Sequence, residues 1–114
     1  MLVVDDTAAV REALVAVLEN EPGIAVVGAA ADGLEAVSLC LELEPDAVLM
    51  DVRMPRADGL EATRAIKAAR PQTRIVLVTG AVDAGLAQAA RHAGADDLLT
   101  KECGGEALRE ALAG

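Results

Sequence analysis

Short apolar runs alternate with longer amphipathic segments along the whole chain. Turn-forming or polar residues bound each run, which is typical of short β-strands. The central run, residues 47–50, is apolar without interruption, so we expect it to be a strand buried on both faces. The predicted strands are residues 2–4, 24–27, 47–50, 74–78 and 97–100.

The segments between these runs carry apolar residues at helical spacing. The first two segments each have one apolar stripe that should face a sheet. The stripe residues are Val10, Leu14, Val17 and Leu18 in the first segment and Val37, Cys40 and Leu41 in the second. Thr7, Asp32, Asp58 and Asp83 stand where helices should begin, and each side chain has an oxygen that can cap a helix.

This order of elements predicts the fold. A strand followed by a helix, repeated along the chain, favours a parallel sheet with helices on both faces and right-handed crossovers. We therefore predict an α/β protein of the flavodoxin-like (βα)5 type, a three-layer sandwich whose five strands lie in the order 2-1-3-4-5. No linker or composition break divides the chain, so we expect one domain over residues 1–114.

Composition narrows the function classes. The 114 residues are 54% hydrophobic and 0% aromatic, so the core must be aliphatic. The formal net charge of −9 argues against nucleic-acid binding by this chain, because phosphate contacts need a basic surface. Cys40 and Cys103 lack CxxC spacing and fit two free thiols. There is no membrane-length apolar run and no signal peptide, so we expect a cytoplasmic protein with no membrane contact.

Polar side chains follow four of the predicted strands. Asp5 and Asp6 follow the first strand, Asp51 the third, Thr79 the fourth and Lys101 the fifth. The carboxyl ends of parallel strands meet at one edge, so three carboxylates, a hydroxyl and an ammonium group should converge there. Clustered carboxylates repel one another, and Mg²⁺ prefers such oxygen ligands.

These residues suit phosphoryl transfer to an aspartate. Asp51 can accept a phosphoryl group, while Thr79 and Lys101 can donate hydrogen bonds to its oxygens. Each residue also has a simpler role when taken alone: a solvated loop acid for Asp51, helix capping for Asp5 and Asp6, a strand end for Thr79 and a surface position for Lys101. Their recurrence at four strand ends favours the joint role.

The chain resembles the receiver domains of two-component response regulators over essentially its full length. The matching segments are VVDD at 3–6, MDVRMP at 50–55 with DG at 58–59, VTG at 78–80, GAD at 94–96 and LLTK at 98–101. The resemblance implies that a sensor histidine kinase phosphorylates Asp51. It also implies that Asp6, Asp51 and the backbone carbonyl of Arg53 bind Mg²⁺, with Asp5 acting through water.

The same resemblance implies that Thr79 and Lys101 contact the phosphoryl group. The local sequence is similar to receivers that precede a LuxR-type helix-turn-helix domain, which is absent from this sequence. It implies transcription regulation through that domain, homodimerisation on phosphorylation, and no enzyme activity beyond assisting its own phosphorylation and dephosphorylation.

Leu98 departs from the receiver pattern. Receivers similar to this one usually carry Tyr, Phe or His at that position, three residues before the lysine, and the ring takes part in switching. The alternative interpretation is therefore an interaction module that keeps the fold and does not switch. A metal-dependent phosphatase is a third class, disfavoured because Arg53 stands where a second catalytic acid would follow Asp51.

Overall fold

The computed structural model describes residues 1–54 and 56–113, which form alternating strands and helices. The strands are β1 (Leu2–Val4), β2 (Gly28–Ala30), β3 (Ala47–Asp51), β4 (Arg74–Thr79) and β5 (Asp97–Thr100). The helices are α1 (Ala8–Glu19), α2 (Gly33–Leu43), α3 (Gly59–Ala69), α4 (Ala84–Ala93) and α5 (Gly105–Ala113). Among these residues, no helix is both long enough and apolar enough to span a bilayer.

The strands form one parallel sheet in the order β2-β1-β3-β4-β5, which confirms the predicted topology. Its register aligns the carboxyl ends of the inner strands. Val4 pairs with Met50 and Asp51 pairs with Val78, while Thr79 pairs with Thr100. The residues that follow β1, β3, β4 and β5 therefore lie along one edge of the sheet.

Each face of the sheet has its own aliphatic core. On one face, Val48 and Met50 pack with residues of α2, α3 and α4, including Ile66. On the other face, Leu49 packs with residues of α1 and α5, including Leu108. The strand β3 is apolar throughout because helices cover it on both sides.

The predicted second strand is wrong. Residues 24–27 precede the sheet, and β2 is formed by Gly28, Ala29 and Ala30 instead. The reason lies in β1, whose residues Leu2–Val4 pair with residues 28–30. Ile24 and Val26 pack beside the α1–α5 core, so their apolar side chains are used outside a strand.

Two predicted core positions are also wrong. Val17 of α1 is 44% exposed and Leu41 of α2 is 53% exposed, so the apolar stripes are narrower than the sequence suggested. Leu18 and Cys40 are fully buried, and both cysteines are free thiols within the described residues.

Three of the four predicted helix caps are confirmed. Oδ1 of Asp32, Asp58 and Asp83 each accepts the backbone N–H three residues on. Thr7 precedes α1, but its side chain makes no capping hydrogen bond within the described ranges. Pro55, expected to keep Met54 out of a helix, lies outside the described residues, as does Gly114. Met54 itself is in no helix.

Candidate functional site

Three carboxylates meet at the carboxyl edge of the sheet. Asp5 and Asp6 follow β1, and Asp51 ends the neighbouring strand β3. One oxygen from each of the three lies within 4.8 Å of the others. Asp5 and Asp51 are buried and Asp6 is exposed, so the cluster opens to solvent on one side. The sequence prediction that these acids converge is confirmed.

The backbone and one side-chain oxygen of Asp5 are fixed by hydrogen bonds. Its N–H donates to the Ala30 carbonyl at 3.1 Å, and its Oδ1 accepts the Thr7 N–H at 2.9 Å. Its carbonyl accepts a hydrogen bond from Arg11 Nη1 at 2.7 Å. This contact from Arg11 was not predicted, and its signal in the sequence is slight: Arg11 is the only basic residue of α1.

The second carboxylate oxygen of Asp5 is different. Oδ2 is buried and has no hydrogen-bond partner among the described residues. Lys101 Nζ lies 3.7 Å away, beyond ordinary hydrogen-bond length. A buried carboxylate oxygen without a partner is costly, and a bound cation or its water would relieve that cost. The donor set of three carboxylates suits a hard divalent cation such as Mg²⁺.

Lys101 supplies a positive charge to the cluster. Its Nζ donates to Asp51 Oδ2 at 3.0 Å, and its backbone N–H donates to the Thr79 carbonyl at 2.8 Å. Burial lowers the pKa of Lys101, but the hydrogen bond that it donates to Asp51 and the charges of Asp51, Asp5 and Asp6 outweigh burial and raise it. The side chain is therefore an ammonium ion at neutral pH.

Thr79 lies at the end of β4, next to the strand that carries Asp51. The residue is buried, and its hydroxyl donates to the Ala81 carbonyl at 3.3 Å. That is a long contact for a hydroxyl donor, so little energy holds the hydroxyl there. The structure thus brings Thr79 to the same edge as Asp51 and Lys101, with its hydroxyl turned to the β4–α4 loop.

The backbone after Asp51 turns sharply away from the sheet. Val52 N–H donates to the Val78 carbonyl at 3.0 Å, and Gly59 N–H donates to the Val52 carbonyl at 2.8 Å. A Cβ on Gly59 would lie 2.3 Å from the Asp51 carbonyl oxygen, so only glycine fits. Arg53 lies in this turn, exposed, and its N–H donates to Asp51 Oδ1 at 3.3 Å.

Comparison with known proteins gives the family of this chain. A family model described as "Response regulator receiver domain" matches residues 1–113. The chain belongs to the response regulator receiver family. Receiver domains bind Mg²⁺ at an acidic pocket and are phosphorylated by sensor histidine kinases, and this receiver has an acidic cluster at the carboxyl edge of its sheet.

Curated relatives of this receiver are longer proteins. It is 41% identical over 111 residues to the protein-glutamate methylesterase/protein-glutamine glutaminase of Thermotoga maritima, covering 95% of the receiver and 32% of that protein. It is 40% identical over 112 residues to the response regulator GacA of Pseudomonas aeruginosa, covering 98% of the receiver and 52% of GacA. The receiver therefore spans only part of the length of both relatives.

A solved structure has the same fold. The crystal structure of a LuxR-family two-component response regulator from Aurantimonas sp. SI85-9A1 matches this receiver with a TM-score of 0.92 at 38% identity. The match covers 98% of this receiver and 80% of that chain. The resemblance stated from the sequence, including the likeness to LuxR-family receivers, is confirmed.

Proposed function

We propose that Asp51 accepts a phosphoryl group from a sensor histidine kinase in a Mg²⁺-dependent reaction, and that the chain acts as a signalling switch. One observation carries the proposal: Asp51 is buried at the end of the central strand, bonded to the Lys101 ammonium, with two further carboxylates within 4.8 Å. A structural aspartate would need only the ion pair. The extra acids destabilise the site unless they bind a cation.

In the proposed reaction, a carboxylate oxygen of Asp51 attacks the phosphorus of the donor. The new O–P bond forms as the bond from phosphorus to the donor's imidazole nitrogen breaks, and the electron pair stays on that nitrogen. Lys101 Nζ, now on Asp51 Oδ2, can then donate to a phosphoryl oxygen. The Thr79 hydroxyl can exchange its long bond to the Ala81 carbonyl for a second phosphoryl oxygen.

Asp6, Asp51 and the Arg53 carbonyl would hold Mg²⁺, with Asp5 bonded to it through water. The ion would neutralise the clustered acids and the incoming phosphoryl charge. The partnerless Oδ2 of Asp5 supports this assignment because it supplies an acceptor for a metal-bound water. We count the chain as a phosphoacceptor rather than an enzyme, since Asp51 is consumed once per phosphoryl group.

The test is intact-mass spectrometry after incubation with acetyl phosphate and Mg²⁺. We expect one added phosphoryl group on the parent chain, and none after chelation of Mg²⁺ or in Asp51→Asn. If the parent chain stays unmodified but still binds other proteins, the result would support the non-switching interaction module. Multiple turnover of an added phosphomonoester would support a phosphatase.

The output of the switch is a separate proposal. The similarity to a LuxR-family regulator favours control of transcription. The DNA-binding domain would be separate from the single domain that we propose for residues 1–114. The net charge of −9 argues against direct contact between the receiver itself and nucleic acid. Likeness to a methylesterase favours a second candidate, control of an attached esterase domain. Sequencing the transcript downstream of this receiver decides between them.

We also propose that phosphorylation promotes homodimerisation. A receiver can pass its signal to an attached domain by changing whether two copies of the receiver associate. Analytical ultracentrifugation with and without beryllofluoride, a phosphoryl mimic, tests this: a monomer in both conditions would contradict it.

A further inference from the structure

The turn after Asp51 is held by a second element that the proposed chemistry does not use. The described residues of this turn, 52–54 and 56–58, are here called the β3–α3 loop. Gly33, the first residue of α2, donates its N–H to the Ala57 carbonyl at 3.1 Å. The α2 helix starts from the strand on the far side of β1, so the contact ties the loop to a distant part of the sheet.

The contact requires glycine at position 33. A Cβ on Gly33 would lie 2.1 Å from the Ala57 carbonyl oxygen and 2.8 Å from its carbonyl carbon. Both are backbone atoms, which cannot move aside without moving the loop. The requirement for glycine at position 33 therefore comes from this close approach. The backbone of Gly33 is helical, a conformation that residues with side chains also adopt.

The loop does not hold its shape by its own preferences. Arg56 has φ of 63° and Ala57 has φ of 141°, values that L-residues with a side chain disfavour. Such conformations persist where the surroundings impose them. The surroundings here are Gly59, whose N–H bonds the Val52 carbonyl across the loop, and Gly33, which lies against Ala57 near the α3 end of the loop.

An ion pair adds a weaker tie between the same elements. Asp32 Oδ2 lies 3.5 Å from Arg56 Nη1, while Asp32 Oδ1 caps α2 through the Glu35 N–H. The Arg56 side chain is 66% exposed, so this pair contributes little. The backbone contact of Gly33 is the main anchor.

We infer that Gly33 is a positioning residue for the metal site, acting through Ala57 and the β3–α3 loop. This inference rests on the proposed function, which places the Arg53 carbonyl of the same loop on Mg²⁺. With Gly33 in place, Ala57 keeps its strained conformation and the nearby Gly59 stays bonded to the Val52 carbonyl. Arg53, the next residue, then stays beside Asp51, whose Oδ1 accepts its N–H at 3.3 Å. Without that anchor the loop relaxes and the cation loses a ligand.

Gly33→Ala tests the inference, with Gly85→Ala as the matched control. Gly85 also lies in the first turn of a helix, and its added Cβ would meet, among the described residues, Asp83 Oδ1 at an ordinary 3.4 Å. Mn²⁺ serves as the probe, and its free concentration is read from its electron paramagnetic resonance signal. We expect roughly tenfold weaker binding in Gly33→Ala, as for supporting groups of metal ligands, and parental affinity in Gly85→Ala.

Each outcome decides something different. A parent chain that fails to bind Mn²⁺ overturns the proposed function and this inference with it. A parent that binds, with equal affinity in a folded Gly33→Ala, overturns the inference alone. A merely structural role for Gly33 would lower the melting temperature without Mn²⁺ and leave the dissociation constant unchanged in the folded protein.

A second measurement uses the unaltered chain, in case Gly33→Ala does not fold. If the Gly33 contact favours metal binding, metal binding must favour the contact to the same extent, by linkage. Saturating Mg²⁺ should therefore slow hydrogen exchange of the Gly33 amide and leave that of Gly94, at the end of α4, unchanged. If Mg²⁺ changes the exchange rates of the Asp6 and Arg53 amides but not that of the Gly33 amide, the inference is overturned.

Discussion

At the scale of single residues, the site holds more negative charge than its one ammonium group can neutralise. Three carboxylates share one ammonium group, and one of their buried oxygens has no hydrogen-bond partner in the described chain. Arrangements of this kind stabilise a bound ligand at the expense of the unliganded fold. The cation-free protein should therefore gain stability when a carboxylate is removed.

Asp6→Asn should raise the free energy of unfolding without Mg²⁺ by about 1 kcal/mol, because it removes like-charge repulsion near the surface. It should also abolish most of the stabilisation that millimolar Mg²⁺ gives the parent. The melting temperature, followed by far-UV circular dichroism because the chain has no Trp or Tyr, measures both. Glu19→Gln, on the exposed end of α1, makes the same charge change away from the site. Equal Mg²⁺ responses in Asp6→Asn and the parent would count against the cluster as a metal site.

Asp96 contributes stability that depends on pH. Its Oδ2 accepts hydrogen bonds from Lys67 Nζ and the Ile75 N–H, both at 2.8 Å. Burial raises the pKa of Asp96, but these bonds and the charges of Lys67 and Arg74 outweigh burial and hold it below 3.8. The stabilisation is therefore complete above the unfolded pKa and is lost as pH falls through the lower folded value.

Asp96→Asn should cost about 1 kcal/mol near neutral pH, since the ion pair is partly exposed. The difference from the parent should shrink as the pH falls below 3.8. Urea unfolding at a series of pH values measures it, with the exposed Glu42→Gln as control. A cost that does not change with pH would show that the charge of Asp96 contributes nothing.

Single residues also show which parts of the site the sequence could predict. The placement of Asp5, Asp51, Thr79 and Lys101 was predictable because each directly follows a predicted strand, and the ends of parallel strands share an edge. Gly33 was not, because its role comes from a contact with Ala57 that no local pattern announces.

At the scale of elements, α2 and α4 end in the same left-handed conformation with different residues. Gly94 ends α4 with φ of 99°, and Glu44 ends α2 with φ of 49°. Glycine is the residue that this position favours. Glu44 instead forms an exposed ion pair with Arg70 at 3.0 Å.

Glu44→Gly should therefore stabilise the protein by about 0.5 kcal/mol, as relief of the left-handed backbone exceeds the loss of a surface ion pair. Gly94→Ala should destabilise it by about 1 kcal/mol. Chemical denaturation measures both, and Glu44→Gln, which removes the charge and keeps a side chain at this position, isolates the contribution of the ion pair. A destabilised Glu44→Gly would mean that the ion pair dominates.

The strand β2 shows where an element could not be predicted. β-Branched residues at 24–27 have the higher strand propensity, yet Gly28, Ala29 and Ala30 form the strand. Pairing with β1 decides which residues form the strand, because Leu2–Val4 pair with residues 28–30. The Val27 N–H donates to the Met1 carbonyl, one residue before this pairing begins. Propensity is local, whereas register depends on the partner strand.

At the scale of the whole molecule, the proposed switch must work without an aromatic side chain, because the chain has none. Leu98 packs against the core that faces α2, α3 and α4. A leucine moves few atoms between rotamers, so it offers little difference in contact energy between two states. The Thr79 hydroxyl, bonded to the Ala81 carbonyl, offers a direct route to the β4–α4 loop.

Beryllofluoride should therefore change hydrogen exchange across residues 79–86. The change should persist in Leu98→Ala, because the route passes through backbone rather than through that side chain. Amide exchange with Mg²⁺ and with or without the mimic measures it. If the mimic binds and no amide outside the immediate site responds, the chain is an interaction module and not a switch.

The central claim is that Asp51 carries the phosphoryl group, and its location can be measured directly. Borohydride reduces an aspartyl phosphate to homoserine, which tandem mass spectrometry places in the sequence. After treatment with acetyl phosphate and Mg²⁺, we predict homoserine at position 51 and unmodified aspartate at positions 5 and 6. Homoserine at either of those positions, or none in the chain, would contradict the account.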